Sequence, residues 1–320
     1  MQSARRAEGN ETPNPKPDFI VIGAGRAGTT SLHEYLAQHP EIFIPPQKSP
    51  SFFYARDLSG SPLAGAPHAI PPWFVRGEAD YRKLFETPRR SCLAGEVSPV
   101  YLASTRVAAR IAQWRPDAKI IAIMRHPVDR VHSRFVARRR DGLEDTPTFE
   151  ELVEREASET LVRDDAHATY LAGGMVSHYL RTYFEHFPAR SISIHFYEDF
   201  ARDTAGVVAE ICRFLGVDDR FRFDLGRIHN RSGGRIRSPT VGGLWAASEP
   251  LRRALRPLWP KHLRDAAFRR VTATTEKVPI EPGTRGRLIE IYRRDILELQ
   301  ELTGRDLSVW LRPSGESFTT

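Results

Sequence analysis

Short apolar runs alternate with amphipathic segments along most of the chain. Four runs have the β-branched or alternating character of buried strands: residues 18–22, 42–44, 119–124 and 191–197. Segments with apolar positions at helical spacing lie between and after them: residues 29–38, a stretch from Val128, and residues 176–187, 204–215 and 284–302. This alternation predicts strand–helix–strand units, which build a parallel sheet with helices on both faces.

The pattern predicts one α/β domain over residues 18–313, with a helical insertion and a helical C-terminus. No linker rich in Pro, Ser or Gly divides the chain into halves. Residues 1–17 are polar and predict a disordered leader, and residues 314–320 predict a tail. Residues 57–77 predict a long loop, and the charged, weakly periodic residues 138–170 predict mobile helices or a lid.

Composition is typical of a globular protein. Of the 320 residues, 40% are hydrophobic and 27% are charged. No apolar run approaches the roughly 18 residues that a membrane helix needs. Two cysteines, Cys92 and Cys212, are too few for a disulfide framework and favour a reducing compartment. Because the start of the chain also lacks the apolar segment of a signal peptide, a cytoplasmic location is expected.

The charge balance favours anionic partners. The chain carries 47 Lys and Arg against 40 Asp and Glu, a formal net charge of +7. Such a surplus attracts nucleic acid, acidic lipid, nucleotides and sulfated substrates alike, so a non-catalytic anion-binding protein is one possible function. The chain lacks a basic module rich in aromatic residues, and nucleic acid is therefore not expected as a partner. The arginine run at residues 138–140 is expected to be a solvated helix end, with the binding of an anionic acceptor as the alternative.

The segment after the first predicted strand is rich in glycine and predicts an anion site. Residues 23–30 read GAGRAGTT and lie between a strand and a helix, where backbone N–H groups and the helix dipole can hold a phosphate. Two patterns fit this segment. One is the G-x-G-x-x-G of dinucleotide-binding domains, and the other is a P-loop with Thr29 in the place of its lysine.

Each pattern makes a further demand. A dinucleotide site requires an Asp or Glu at the end of the second strand to bind a ribose hydroxyl. Here Glu41 precedes that strand instead. An arginine that accommodates a 2′-phosphate would relax this requirement, so an NAD(P)- or FAD-binding oxidoreductase stays an alternative. A nucleotide hydrolase predicts an Asp for Mg²⁺ at a strand end, but residues 119–124 are followed by Arg125. Since an arginine repels a metal ion and attracts an anion, we expect phosphate binding without a metal.

Five segments follow one another along the chain: DFIVIGAGRAGTTSLHEYLAQHP, IFIPPQKSPSFF, GEVSPVYL, KIIAIMRHPVDRVHSRF and GRDLSVWL. In this order they resemble the sulfotransferases that use 3′-phosphoadenosine-5′-phosphosulfate (PAPS), in the carbohydrate-type and bacterial branch. The resemblance covers most of residues 18–311. It implies a three-layer α/β fold of the P-loop NTPase type with PAPS as sulfuryl donor. It also implies an acceptor hydroxyl or amine on a carbohydrate, lipid or small metabolite.

The resemblance also implies the residues of the site. The residues assigned to the nucleotide are Arg26, Ala27, Gly28, Thr29, Thr30 and Ser31 around the 5′-phosphosulfate, Arg125 and Ser133 on the 3′-phosphate, and Arg235 in a late covering loop. Arg26 stands where the family has a catalytic lysine, and Lys48 is a second cation that can share its role. A guanidinium keeps the positive charge of that lysine but donates a proton poorly.

The general base is where the chain departs from the family. Ser49 and Val97 stand where relatives have a catalytic glutamate and a catalytic lysine, and neither can accept a proton near neutral pH. Glu96 is then the predicted catalytic base, with His132 and His126 behind it. No spacing of Cys and His typical of a zinc site is present, and no metal site is predicted.

Overall fold

A parallel sheet of five strands forms the centre of the protein in the computed structural model. The strands are β1 (Phe19–Gly23), β2 (Ile42–Phe43), β3 (Leu93–Val97), β4 (Lys119–Met124) and β5 (Ile192–Phe196). They lie in the order β2-β3-β1-β4-β5, and neighbouring strands are parallel. The structure describes residues 15–58, 71, 73–86, 92–141, 143–161, 164, 169–226, 235–236, 275–276 and 279–312.

Helices flank this sheet. They are α1 (Thr29–Leu36), α2 (Phe52–Leu58), α3 (Glu78–Lys83), α4 (Val107–Trp114), α5 (Pro127–Arg140), α6 (Phe149–Ala157), α7 (Val176–His186), α8 (Tyr197–Arg202), α9 (Thr204–Leu215) and α10 (Pro282–Thr303). Short 3₁₀ turns lie at Pro99–Ala103, Ala172–Gly174, Ala189–Ser191 and Ser308–Leu311. A separate antiparallel pair consists of β6 (Arg235–Ile236) and β7 (Thr275–Glu276).

The core is centred on β1 and β4, the two strands that lie side by side inside the sheet. The side chains of residues 19–22 and 120–124 are fully inaccessible to solvent. Strands of a parallel sheet that are buried on both faces have continuous apolar sequences, which is why both strands could be predicted. The predicted α/β fold with a parallel sheet and flanking helices is confirmed, while β3 and α4 are additions to it.

The helices expected in residues 138–170 are confirmed by α6, whereas their mobility and a lid stay predictions. α6 buries Phe149, Leu152 and Val153 in the main core. The Thr148 side chain accepts a hydrogen bond from a backbone N–H of the first turn and so begins the helix. Most charged residues of α6 lie on its outer face and obscure its apolar face in the sequence, whereas Glu156 is buried.

Other predictions are tested only in part. Most of the leader (residues 1–17), the tail (314–320) and much of the loop at 57–77 lie outside the described residues. α2 extends two residues into that predicted loop. None of the described helices combines the length and the apolar character that crossing a bilayer requires.

The parallel strands bring their carboxyl ends to one edge of the sheet, where ligands bind in open α/β folds. β1 leads there into the glycine loop at residues 24–28, and β3 leads into Ser98. β4 leads into Arg125 and β5 into Tyr197, while the segment after β2 carries Lys48. The topology therefore gathers the predicted site residues at this edge.

Truncation of a side chain in the centre of the sheet should destabilise the fold. Ile121 in β4 is 0% exposed, and Ile121→Ala should lower the free energy of unfolding by about 2–5 kcal/mol through lost burial and a residual cavity. Urea unfolding followed by circular dichroism measures this. The control is Leu297→Ala on α10, at a side chain that is 42% exposed, with an expected change under about 0.5 kcal/mol. Equal losses in the two variants would contradict this arrangement of the core.

Candidate active site

The loop between β1 and α1 has a backbone shape that suits an anion. Arg26 and Gly28 have φ values of 72° and 83°, both in the left-handed region. A Cβ at Gly28 would lie 3.0 Å from the Phe200 ring, so glycine fits there and a larger residue does not. Gly28 directly precedes α1, and the first N–H groups of a helix lack carbonyl partners within it. The start of α1 therefore fits a phosphate.

Arg125 and Ser133 lie next to this loop. The Arg125 guanidinium Nη1 donates a hydrogen bond of 2.7 Å to the backbone carbonyl of Arg26. The Arg26 Nε donates a hydrogen bond of 3.0 Å to the Ser133 hydroxyl. The Arg125 guanidinium also lies over the Tyr197 ring, 4.5 Å from its centroid. The two predicted phosphate-binding positions are thus neighbours at the same edge of the sheet.

Lys48 completes a cluster of cations at the loop. Its Nζ forms a hydrogen bond with the Thr30 hydroxyl in the first turn of α1. Burial, and after it the charge of Arg26, lowers the pKa of Lys48 to about 8. Burial also lowers the pKa of Arg26 to about 10, followed by the charges of Arg140 and Arg125. This mutual repulsion among cations is what a bound anion would relieve, so the residues present fit a phosphorylated or sulfated ligand.

Arg140 belongs to this cluster, although residues 138–140 were expected to be a solvated helix end. That expectation is wrong for Arg140, whose side chain is only 8% exposed and whose Nε lies 2.9 Å from Asp141 Oδ1. It holds for Arg139, which is exposed. Arg140 follows Ser133 by seven residues, two turns along the same face of α5. That spacing is the sequence signal that could have identified it.

For the remaining residues predicted to bind the nucleotide, the structure gives the position but no contact that tests the prediction. Ala27 is buried, and its N–H donates to the Ala24 carbonyl at 3.2 Å within the loop turn. Thr29 and Ser31 are buried in the first turn of α1. The backbone of Arg235 lies in β6, and its side chain is outside the described part of the structure. The predictions for these residues stay predictions.

Glu96 lies on β3, away from solvent. Only 1% of the residue is exposed, and its carboxylate accepts hydrogen bonds from the hydroxyls of Tyr81, Ser98 and Tyr101. Burial raises the pKa of Glu96 to about 7, while the three hydroxyls act in the opposite direction. A carboxylate enclosed in this way is out of reach of an acceptor substrate, and its surroundings favour a structural role over that of a base.

The two histidines named as further candidates are packing residues. The Nδ1 of His126 accepts a hydrogen bond of 3.3 Å from the Val128 N–H at the start of α5. The His132 ring packs against Phe149 with 4.9 Å between ring centroids. Burial lowers the pKa of each histidine to about 4, which keeps both neutral near pH 7.

Ser49 and Val97, where relatives carry catalytic residues, lie side by side. The Ser49 N–H donates a hydrogen bond of 3.1 Å to the Val97 carbonyl. The two departures from the family pattern therefore fall in one place, beside the cation cluster that Lys48 joins. No group of three or more His, Cys, Asp or Glu side chains gathers as metal ligands would within the described ranges.

Comparison with known proteins identifies the family. A model described as the sulfotransferase family matches residues 17–221, more than half of the chain. The chain belongs to this family. The crystal structure of a sulfotransferase from Alicyclobacillus acidocaldarius is similar, with a TM-score of 0.69 and 28% sequence identity. The similarity covers 93% of this chain and 99% of that one.

Curated relatives of the chain include enzymes of heparan sulfate. Human heparan sulfate glucosamine 3-O-sulfotransferase 3B1 is 26% identical over 201 residues, 63% of this chain and 46% of the relative. Human bifunctional heparan sulfate N-deacetylase/N-sulfotransferase 2 is 25% identical over 205 residues, 63% of this chain and 22% of the relative. The match therefore spans less than half the length of these relatives.

The strand order agrees with this assignment. β1 lies between β3 and β4, whereas the first strand of a dinucleotide-binding domain lies between the second and fourth strands. The G-x-G-x-x-G interpretation of residues 23–28 thus loses its structural context. An NAD(P)- or FAD-binding oxidoreductase is not favoured.

Replacing Glu96 by glutamine should remove a pH dependence of stability. Because the pKa of Glu96 in the folded protein is about 7 and its ordinary value is 4.5, the folded state favours the protonated form. Its stabilising contribution is complete below pH 4.5, falls as the pH rises to about 7, and is then constant. We expect the stability of the wild type relative to Glu96→Gln to fall by about 2 kcal/mol between about pH 5 and 7.5.

Urea unfolding at a series of pH values measures this difference, since titrations common to both proteins cancel. Glu301→Gln on α10, at an exposed position, is the control and should give a curve parallel to that of the wild type. Parallel curves for the wild type and Glu96→Gln would contradict the raised pKa.

Proposed function

We propose that the chain transfers a sulfuryl group from PAPS to a hydroxyl or amine of an acceptor. The observation that carries the proposal is the Arg125 guanidinium, bonded to the Arg26 carbonyl at 2.7 Å. This contact unites the end of β4 with the loop after β1. One donor nucleotide with a phosphate at each end can therefore be held by both places at once.

The proposed donor contacts follow from the donor groups present. The start of α1, with Gly28, Thr29 and Thr30, would hold the 5′-phosphosulfate through backbone N–H groups. Arg125 and Ser133 would hold the 3′-phosphate, because a planar guanidinium and a hydroxyl are well suited to phosphate oxygens. We further infer that Arg140 adds positive charge beside Arg26 for the sulfuryl oxygens.

Transfer in this proposal is a direct displacement at sulfur. The bond from sulfur to the bridging oxygen of the donor breaks, and a bond from sulfur to the acceptor atom forms as the acceptor loses its proton. The departing 5′-phosphate takes the electron pair and gains negative charge, which Arg26 and Lys48 offset. The Arg26 guanidinium stays protonated near neutral pH. The Lys48 amine, with a pKa of about 8, can exchange a proton there. Lys48 is therefore the proposed base: its neutral amine accepts the proton of the acceptor, and the ammonium group so formed offsets the charge of the departing phosphate.

The proposed acceptor is an anionic carbohydrate. Its support is heparan sulfate, which the names of the relatives give as their substrate, together with the cationic surroundings of the site. Sulfate or carboxylate groups on such an acceptor would be attracted to excess arginine charge. The absence of a titratable side chain at Ser49 and Val97 favours a second candidate, a protein that binds PAPS without transferring the sulfuryl group.

Binding of 3′-phosphoadenosine-5′-phosphate (PAP), the product left after transfer, tests the donor site. The wild type should bind PAP in isothermal titration calorimetry, and Arg125→Ala should weaken the affinity by about 10- to 100-fold because a phosphate loses a charged partner. The matched control is Arg139→Ala, an exposed arginine that should leave the affinity unchanged. Failure of the wild type to bind PAP, or tighter binding of NAD, would refute the proposal.

Transfer itself is tested with labelled PAPS and a panel of sugars, sulfated glycans, phenols, lipids and amines. We expect label on a sulfated glycan, and the same rate after treatment with EDTA, because the cation cluster repels a divalent metal. Loss of transfer on EDTA treatment that returns with Mg²⁺ would contradict a metal-free mechanism. PAP binding without any transfer would select the non-transferring alternative.

A further inference from the structure

Glu96 is the centre of a buried network of hydroxyl groups. The Ser98 hydroxyl donates a hydrogen bond of 2.7 Å to Oε2. The Tyr101 hydroxyl donates one of 2.9 Å to Oε1, and the Tyr81 hydroxyl donates to the same oxygen. Above its pKa of about 7, the ionised carboxylate thus takes the single proton that each of these hydroxyls can donate.

Two of these hydroxyls also accept hydrogen bonds from backbone N–H groups at the start of α2. Ser98 Oγ accepts a hydrogen bond of 3.0 Å from the Ser51 N–H, and the Tyr101 hydroxyl oxygen accepts one of 3.3 Å from the Phe53 N–H. Because Glu96 takes their protons, both oxygens turn their lone pairs toward these backbone groups. Two of the N–H groups at the start of α2 are therefore satisfied by side chains from the segment that follows β3. The Tyr81 hydroxyl also bonds Tyr101, but within the described contacts it accepts no hydrogen bond from a backbone N–H of α2.

The segment held in this way has an unusual backbone. Ser49 and Ser51 have φ values of 55° and 54°, a region that residues other than glycine seldom adopt. Hydrogen bonds within and around the segment maintain it, including 3.1 Å from Ser51 Oγ to the Ser49 carbonyl and 2.8 Å from the Val75 N–H to the Pro50 carbonyl. The residue directly before this segment is Lys48. The backbone conformation of residues 49–51 therefore sets the direction of the chain at Lys48.

We propose that Glu96 is a positioning residue for Lys48. Acting through Ser98 and Tyr101, it holds residues 49–53 in this conformation and so keeps the Lys48 amine against the loop before α1. The role of Lys48 toward the donor rests on the proposed function. The statement that Glu96 fixes the segment stands without it, and the two parts are tested separately.

Hydrogen exchange tests the first part. Glu96→Gln offers an amide N–H₂ in place of one acceptor oxygen, so at least one hydroxyl must turn, and Ser98→Ala removes a relay outright. The Ser51 amide should exchange about tenfold faster in both variants, as expected for the loss of one hydrogen bond. Tyr81→Phe is the matched control, because the Tyr81 hydroxyl bonds Glu96 and Tyr101 but no backbone N–H of residues 49–53, and Ser51 exchange should rise less than in Glu96→Gln. Unchanged exchange in Glu96→Gln, or equal acceleration in Tyr81→Phe, would overturn the proposal.

A double-mutant cycle on PAP affinity tests the second part. Lys48→Ala and Glu96→Gln should each weaken PAP binding, and the double variant should bind no more weakly than Lys48→Ala alone, because Glu96 acts through Lys48. A general loss of stability would not produce this non-additivity. Effects that multiply, or unaltered affinity in Glu96→Gln, would refute positioning of Lys48.

Two further results are informative. If Glu96→Gln does not fold, Ser98→Ala takes its place in both experiments with the same expectations. If the wild type does not bind PAP, the proposed function fails, and hydrogen exchange still decides whether Glu96 holds residues 49–53.

Discussion

The hydrogen bond from Arg125 to the backbone carbonyl of Arg26 joins the two parts of the chain on which the site depends. It connects the end of β4 to the loop after β1, although these lie almost 100 residues apart in sequence. Around it the fold gathers Lys48 and Arg140, two further cations. Like charges in partly buried surroundings repel, so this arrangement is unfavourable without an anion. The fold tolerates it because neutral or acidic partners take up the donors: the Arg26 carbonyl, the Thr30 hydroxyl and the Asp141 carboxylate.

This repulsion links stability to ligand binding. A ligand that binds only the folded protein raises the free energy of unfolding, and an anion here would also relieve the repulsion between the cations. The parallel sheet makes the arrangement possible, because its strand ends converge on one edge while the core around β1 and β4 stays apolar. β1 and β4 are thus apolar along the core, and the charged residues of the site follow only at the carboxyl ends of these strands.

The sequence predicts those elements whose signal is local. β1 and β4 are continuous apolar runs, and the glycine loop and Arg125 follow them directly, so both could be found without a structure. β3 could not, because Gly95 and Glu96 interrupt its apolar pattern. Glycine is required at position 95 because a Cβ there would overlap the ring of Phe19 in the adjacent strand. Glu96 is accommodated through hydroxyls from two other parts of the chain, and no spacing within the sequence reveals those contacts.

The same limit applies to the roles of charged residues. Arg140 has the sequence pattern of a solvated helix end because nothing in that run shows that its charge lies near Arg26. Burial then acts in opposite directions on acids and bases, since it always disfavours the charged form. Burial raises the pKa of Glu96 to about 7 and lowers the pKa of Lys48 to about 8, so both pKa values lie near neutral pH. Access separates them: Glu96 is enclosed by hydroxyls inside the sheet, whereas Lys48 contacts Thr30 in the first turn of α1, where the donor would bind. A group that exchanges protons with a substrate must reach it, which is why we propose proton exchange for Lys48 and support of the surrounding backbone for Glu96.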